Sequence, residues 1–147
     1  MAQRSNSENP SATDEENSEE FPRDFVGSKY TVRHCQGARE SIEAIVKKVN
    51  RKKETLENSV SLVIEHLANG LRLPKTRYRS EGNLPSQKKF YALKAGKIRG
   101  YCWLSQRKKN TIFISHYIFK AQDKLNGKDT NLVCDNWKRI EENGDDC

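Results

Sequence analysis

The sequence predicts an α+β domain built from an opening strand, two amphipathic helices, an antiparallel three-strand meander and a closing helix. Two periodicities and their punctuation carry this. Apolar residues recur at helical spacing before residue 70, and they alternate at strand spacing between residues 88 and 119. Gly and Pro separate the two regimes, in "ANGLRLP" and "SEGNLP".

"SKYTVRH" (28–34) combines β-branched and aromatic residues and reads as an edge or opening strand, closed by Gly37. In "ARESIEAIVKKVNRKKE", Ile42, Ile45, Val46 and Val49 fall at i, i+3, i+4 and i+7, an amphipathic helix with Lys47, Lys48, Arg51, Lys52 and Lys53 on its polar side. "TLENSVSLVIEHLANG" repeats the spacing through Leu56, Val60, Val63, Ile64 and Leu67, with Thr55 as the expected N-cap and Gly70 as the C′ residue. Residues 74–87 are expected to form a loop carrying Lys75, Arg77 and Arg79. Three strands follow: "KKFYALKA", "KIRGYCWLS" and "NTIFISHYIF". Strict alternation places Ile112, Ile114, His116 and Ile118 on one face of the last strand, and Phe113, Ser115, Tyr117 and Phe119 on the other. Leu132, Val133, Trp137 and Ile140 make the stripe of the closing helix, with Asp129 or Thr130 as its cap.

The chain has 147 residues, 34% apolar and 32% charged, which suits one small domain. Residues 1–26 read as a disordered acidic tail, 27–142 as the domain and 143–147 as a flexible acidic end. Residues 1–30 hold three basic and seven acidic side chains (net −4), and residues 141–147 hold four acidic ones (net −4). The whole chain is +7, so residues 31–140 carry +7 + 8 = +15. A charge of that size attracts polyanions, nucleic acid first among them; a merely cationic, solvated surface is the plainer alternative.

No apolar run is long enough for a membrane span, the N-terminus lacks the apolar stretch of a secretory signal, and Cys35, Cys102, Cys134 and Cys147 show no C-x-x-C spacing. The expected setting is cytoplasmic, with reduced thiols. The sequence contains no GxxxxGK[ST] loop, no GxSxG elbow and no carboxylate cluster suited to a metal, so no metal and no small-molecule cofactor is expected.

Basic side chains gather on and around the meander: Lys88, Lys89, Lys94, Lys97, Arg99, Arg107, Lys108, Lys109, Lys120 and Lys124. Tyr91, Tyr101, Trp103, Tyr117 and Phe119 are interleaved with them. Cations neutralise phosphates and aromatic rings stack unpaired bases, so the combination suits single-stranded RNA. Taken singly, Trp103 and Phe119 read as core. Cleaving RNA without a metal needs a base for the 2′-OH, cations for the charge on phosphorus and an acid for the leaving 5′-oxygen. His, Tyr, Lys and Arg can fill those roles.

"KFYALKAGKIRGYCWLS" and "NTIFISHYIFKAQDK", followed by a closing helix in the order β-α-α-β-β-β-α, resemble the RelE/ParE superfamily of toxin–antitoxin toxins, nearest its HigB-like branch. That branch has an L-[YW]-E-[LI]-R strand, a G-x-[YI]-R strand and an apolar strand ending in H-x-[FI]-x-K-K. Lys94 stands at the first Arg and Arg99 at the second, and His116, Ile118 and Lys120 match the third motif. The chain departs from the pattern at Ala92, Lys94 and Ala121. The resemblance implies a RelE-like fold and an endoribonuclease that cuts mRNA on the ribosome and is neutralised by a cognate antitoxin. Arg99 and Lys120 are the candidates for phosphate and transition-state charge, and His116 and Tyr117 for base and acid in either order. Lys89, Tyr91, Lys94, Lys97, Lys108, Lys109 and Lys124 are the candidates for binding RNA. Two alternatives stay open: a toxin of the same fold acting on DNA gyrase, and a basic RNA- or ribosome-binding protein without catalysis.

Overall fold

A computed structural model describes residues 21–120 and 125–145. Its strands are β1 (Asp24–Val26), β2 (Thr31–His34), β3 (Tyr78–Asn83), β4 (Lys89–Ala95), β5 (Ile98–Leu104) and β6 (Thr111–Phe119). The helices are α1 (Ala38–Val49), α2 (Lys53–Ala68) and α3 (Gly127–Trp137), the last running on into a π-helical turn at Lys138–Glu142. The fold is α+β, and no helix among the described residues is long and apolar enough to cross a membrane.

The strands form one mixed sheet in the order β1-β2-β6-β5-β4-β3. The chain leaves β2 through α1 and α2 and returns to its side only at β6, so β2 and β6 run parallel; the expected all-antiparallel sheet is corrected on this point. β6 lies inside the sheet with both faces covered, which is why "TIFISHYIF" is nearly continuous in apolar residues.

Two further corrections concern residues with weak local signals. β1 falls within the stretch assigned to the tail. Phe21 is buried beside it, and Arg33 grips Asp24 through two bonds, Nε–Oδ1 at 2.9 Å and Nη2–Oδ2 at 3.1 Å. β3, "YRSEGN", falls within the expected loop. It lacks apolar alternation and is a strand because β4 offers it a ladder, with a bulge between Ser80 and Gly82. Residues 1–20 of the predicted tail, and Asp146 and Cys147, lie outside the described residues.

The helices follow their stripes. Ile42 and Ile45 of α1, and Leu56, Val60, Val63, Ile64 and Leu67 of α2, are buried against Val32, Leu93, Ile98, Cys102, Ile112 and Ile114. Each such side chain contributes about 1.5–3 kcal/mol. α2 begins at Lys53, with Lys52 rather than Thr55 in the cap position, and no side chain caps it. It ends in a Schellman motif: Gly70 (φ 72°) donates to the Leu67 carbonyl and Leu71 to that of His66. α3 covers the other face of the sheet, where Val133, Trp137 and Ile140 meet Phe90, Tyr101, Trp103 and Phe113. Its cap is Asn126, whose side chain accepts from the Lys128 N–H, and not Asp129 or Thr130. The carboxylate of Glu141 accepts from Trp103 Nε1 (3.0 Å) and from the N–H groups of Gln106 and Arg107, fastening the β5–β6 loop to the C-terminal helix. Trp103 is therefore core.

Candidate nucleic-acid interface

One irregularity decides which side chains share a face. Tyr101 pairs with His116 and Cys102 with Ile114, so Ser115 is an extra residue with no partner on β5. This bulge inverts the alternation of β6 halfway along. The strict alternation expected from the sequence fails here: His116 and Ile118 turn to the α3 face with Phe113, and Tyr117 and Phe119 turn to the α1–α2 face with Ile112 and Ile114.

The bulge brings His116 to the face of Arg99. Across β4, Arg99 pairs with Lys94; across β6, it pairs with Ile118. Arg99 is half-buried and one guanidinium nitrogen donates to the Gly96 carbonyl (2.6 Å), which pins the side chain to the β4–β5 turn. Lys94 and Lys120 are 9% and 8% exposed, uncommon for lysine. Lys120 is joined to that turn through its N–H, which donates to the Lys97 carbonyl (2.8 Å).

His116 is held at both ring nitrogens. Nε2 lies 3.0 Å from Asp129 Oδ1, and Nδ1 lies 2.8 Å from Ser115 Oγ, which accepts from Asn136 Nδ2 (2.8 Å). These bonds are consistent with a neutral ring that donates from Nε2 to Asp129 and accepts from Ser115 at Nδ1. Burial pushes its pKa below the ordinary value, and the Asp129 carboxylate opposes this in part. So held, His116 has no lone pair to offer a substrate. The sequence offers His116, with Tyr117, as base or acid in either order; in the fold both of its ring nitrogens are engaged within the protein.

Tyr117, the other candidate, lies apart from this group. It lies on the opposite face, 2% exposed, and its hydroxyl donates to His34 Nε2 (2.6 Å). His34 Nδ1 in turn faces the Arg23 carbonyl (3.1 Å), and burial drives the His34 pKa down to about 4. Gly100 is the cross-strand partner of Tyr117, and a Cβ there would come within 2.7 Å of its ring. Tyr117 thus belongs to a packed structural pair and does not join Arg99 and His116.

Tyr101, by contrast, shares the face of Arg99 and His116. Its ring packs on His116 (5.4 Å between centroids), yet its buried hydroxyl has no hydrogen-bond partner among the described residues. Burial, with the carboxylates of Asp129 and Glu81, pushes its pKa up while Arg99 pulls the other way, so the hydroxyl stays protonated. Alternation already put Tyr101 on the face of Arg99. That its hydroxyl is orphaned, and that Asp129 pairs with His116, depends on α3 and is not legible in the sequence.

The remaining candidates are dispersed. Lys97 is exposed at the β4–β5 turn. Tyr91 points to the α1–α2 face and stacks on Tyr78 at 4.9 Å. Lys89 is exposed at the start of β4, while Lys108 and Lys109 ride the loop fixed by Glu141. Lys124 and Ala121 lie outside the described residues. Among the described residues, no group of three His, Cys, Asp or Glu side chains comes together as a metal-binding set. Comparison with family models, curated proteins and solved structures returns no match.

Proposed function

We propose that this chain is a RelE-like toxin of a toxin–antitoxin pair that acts on mRNA at the ribosome and cleaves it. One juxtaposition carries the reading: Arg99 and Lys94 paired across β4 and β5, on the same face as the orphaned Tyr101 hydroxyl and the His116–Asp129 pair. Arg99, with Lys94 paired to it across the strands, supplies positive charge where charge builds on a phosphodiester. Tyr101, held protonated, gives its proton to the leaving 5′-oxygen when RNA uncovers its buried hydroxyl, and the Asp129 carboxylate, oriented by His116, takes the proton of the attacking 2′-OH. The element order from β2 to α3 supports the family likeness, with one meander strand more than expected. A basic domain of this kind also suits an acidic antitoxin as its partner.

A second reading, RNA or ribosome binding without cleavage, is favoured by a separate observation. Both nitrogens of His116 and the hydroxyl of Tyr117 are already bonded within the protein.

Induced expression of the full chain with mapping of mRNA 5′ ends separates the two. Cleavage predicts growth arrest with new 5′ ends in translated messages, both abolished in Arg99→Ala. The binding reading predicts neither arrest nor new ends, and arrest with messages intact points to the gyrase alternative. Undiminished cleavage by Arg99→Ala would sink the assignment of this face.

A further inference from the structure

On the other side of the β4–β5 turn, a groove of about 520 Å³ opens between α2 and the sheet. We infer that it is a second subsite for single-stranded RNA, in which Arg51, Arg77 and Lys97 take phosphates and Phe119 takes a base.

Four observations lead there. Arg51 comes from the α1–α2 connection, Arg77 from the approach to β3 and Lys97 from the β4–β5 turn, so three separate segments deliver cations to one groove. Among the described residues, none of the three side chains has a hydrogen bond or ion pair, whereas other basic residues, such as Arg33 and Lys53, are engaged by carboxylates. No carboxylate of the described residues lines the groove, so every charged side chain on its wall is basic. Its apolar lining includes Leu56, Ile98 and the half-buried ring of Phe119. A cationic groove with an aromatic ring is how proteins hold unpaired nucleotides without reading their sequence. The volume lies within the roughly 300–1,000 Å³ usual for a ligand site.

The bulge at Ser115 makes this groove possible, because it turns Phe119 to this side of the sheet. The groove and the Arg99 face also share one turn: Gly96 lines the groove and its carbonyl holds the Arg99 guanidinium. An RNA strand passing around Gly96 and Lys97 meets both. This subsite rests on the RNA-directed reading for the identity of the polyanion, but not on cleavage.

The test uses the full chain and a fluorescein-labelled short oligouridylate, followed by anisotropy over a range of salt concentrations. Reversing the groove charges together (Arg51→Glu, Arg77→Glu, Lys97→Glu) lowers the log–log salt slope by about 2, from about 0.7 per phosphate released. Reversing the exposed Lys29, Lys47 and Lys138 changes net charge equally and has a smaller effect. Phe119→Ala weakens binding about tenfold, the scale of one stacked base. Phe119→Trp restores binding, and the fluorescence at that position is quenched by the oligonucleotide. Unchanged affinity and slope in the triple variant overturn the subsite, even if the protein cuts mRNA. Loss of binding in that variant upholds it, even if no RNA is cut. Residues 1–20 carry one basic and six acidic side chains, a net of −5. If Phe119→Trp fluorescence responds to a peptide of those residues and not to oligouridylate, the groove takes acidic peptide and the RNA assignment falls.

Discussion

Two tyrosines on neighbouring strands, Tyr101 on β5 and Tyr117 on β6, are both fully or almost fully buried and have opposite fates. The hydroxyl of Tyr117 is satisfied by His34, and the pair is enclosed by Phe21, which packs 4.9 Å from the His34 ring. The hydroxyl of Tyr101 is left without a partner next to the only described histidine–carboxylate contact, in a field set by Asp129, Glu81 and Arg99. A satisfied buried polar group stabilises a fold. An unsatisfied one costs stability and is kept where something else uses it. On the proposed function, the Tyr117 face carries structure and the Tyr101 face the chemistry.

The largest effect that sharpens this contrast is on activity. Tyr101→Phe is expected to lower mRNA cleavage about 100-fold, the lower range for losing a proton donor. Tyr117→Phe leaves cleavage per folded molecule unchanged. Equal losses in 5′-end formation by the two variants, after correction for folded protein, would break the division between the faces.

Next comes the pH dependence of stability, set by the Tyr117 side. His34 is neutral in the fold with its pKa near 4, against an ordinary 6.5 in the unfolded chain. As pH falls through this interval the unfolded chain takes up the proton first. Its contribution to stability is therefore complete above about pH 6.5, declines from there to about pH 4 and is absent below, a change of about 3 kcal/mol. His116, also pushed down, acts in the same direction. Urea unfolding at neutral and mildly acid pH measures the change. A flat profile would remove His34 from the account.

Smaller again is the direct cost of Tyr117→Phe. It strands His34 Nε2 in the core and should lower unfolding free energy by about 2 kcal/mol. The smallest effect has the opposite sign. Tyr101→Phe removes a buried hydroxyl that bonds to nothing among the described residues, so it should raise stability by about 1 kcal/mol in the same urea titration. A destabilised Tyr101→Phe would mean that the hydroxyl has a structural partner, and the case for it as donor would fail.

The elements with strong local patterns are legible in the amino-acid sequence. The i, i+3, i+4 stripes of α1 and α2, the stop at Gly70, the two-residue turn at Gly96–Lys97 and the three strands from Lys89 to Phe119 are written in adjacent residues. So is the shared parity of Lys97, Arg99, Tyr101 and Trp103. β1 and β3 are not legible there. "DFV" and "YRSEGN" have no alternation of their own and are ordered by β2 and β4.

Local residue patterns set the amphipathic segments and the basic charge carried between two acidic ends. Which side chains meet is settled by the folded chain. Inserting Ser115 opposite no residue of β5 costs one ladder position, and it exchanges the faces of every later side chain on β6, sending Tyr117 to His34 and His116 to Asp129. A period of two is a local property that any window of residues reveals. A one-residue slip is settled by pairing with a strand that closes far along the chain, and by whether the helices above can bury what it turns inward.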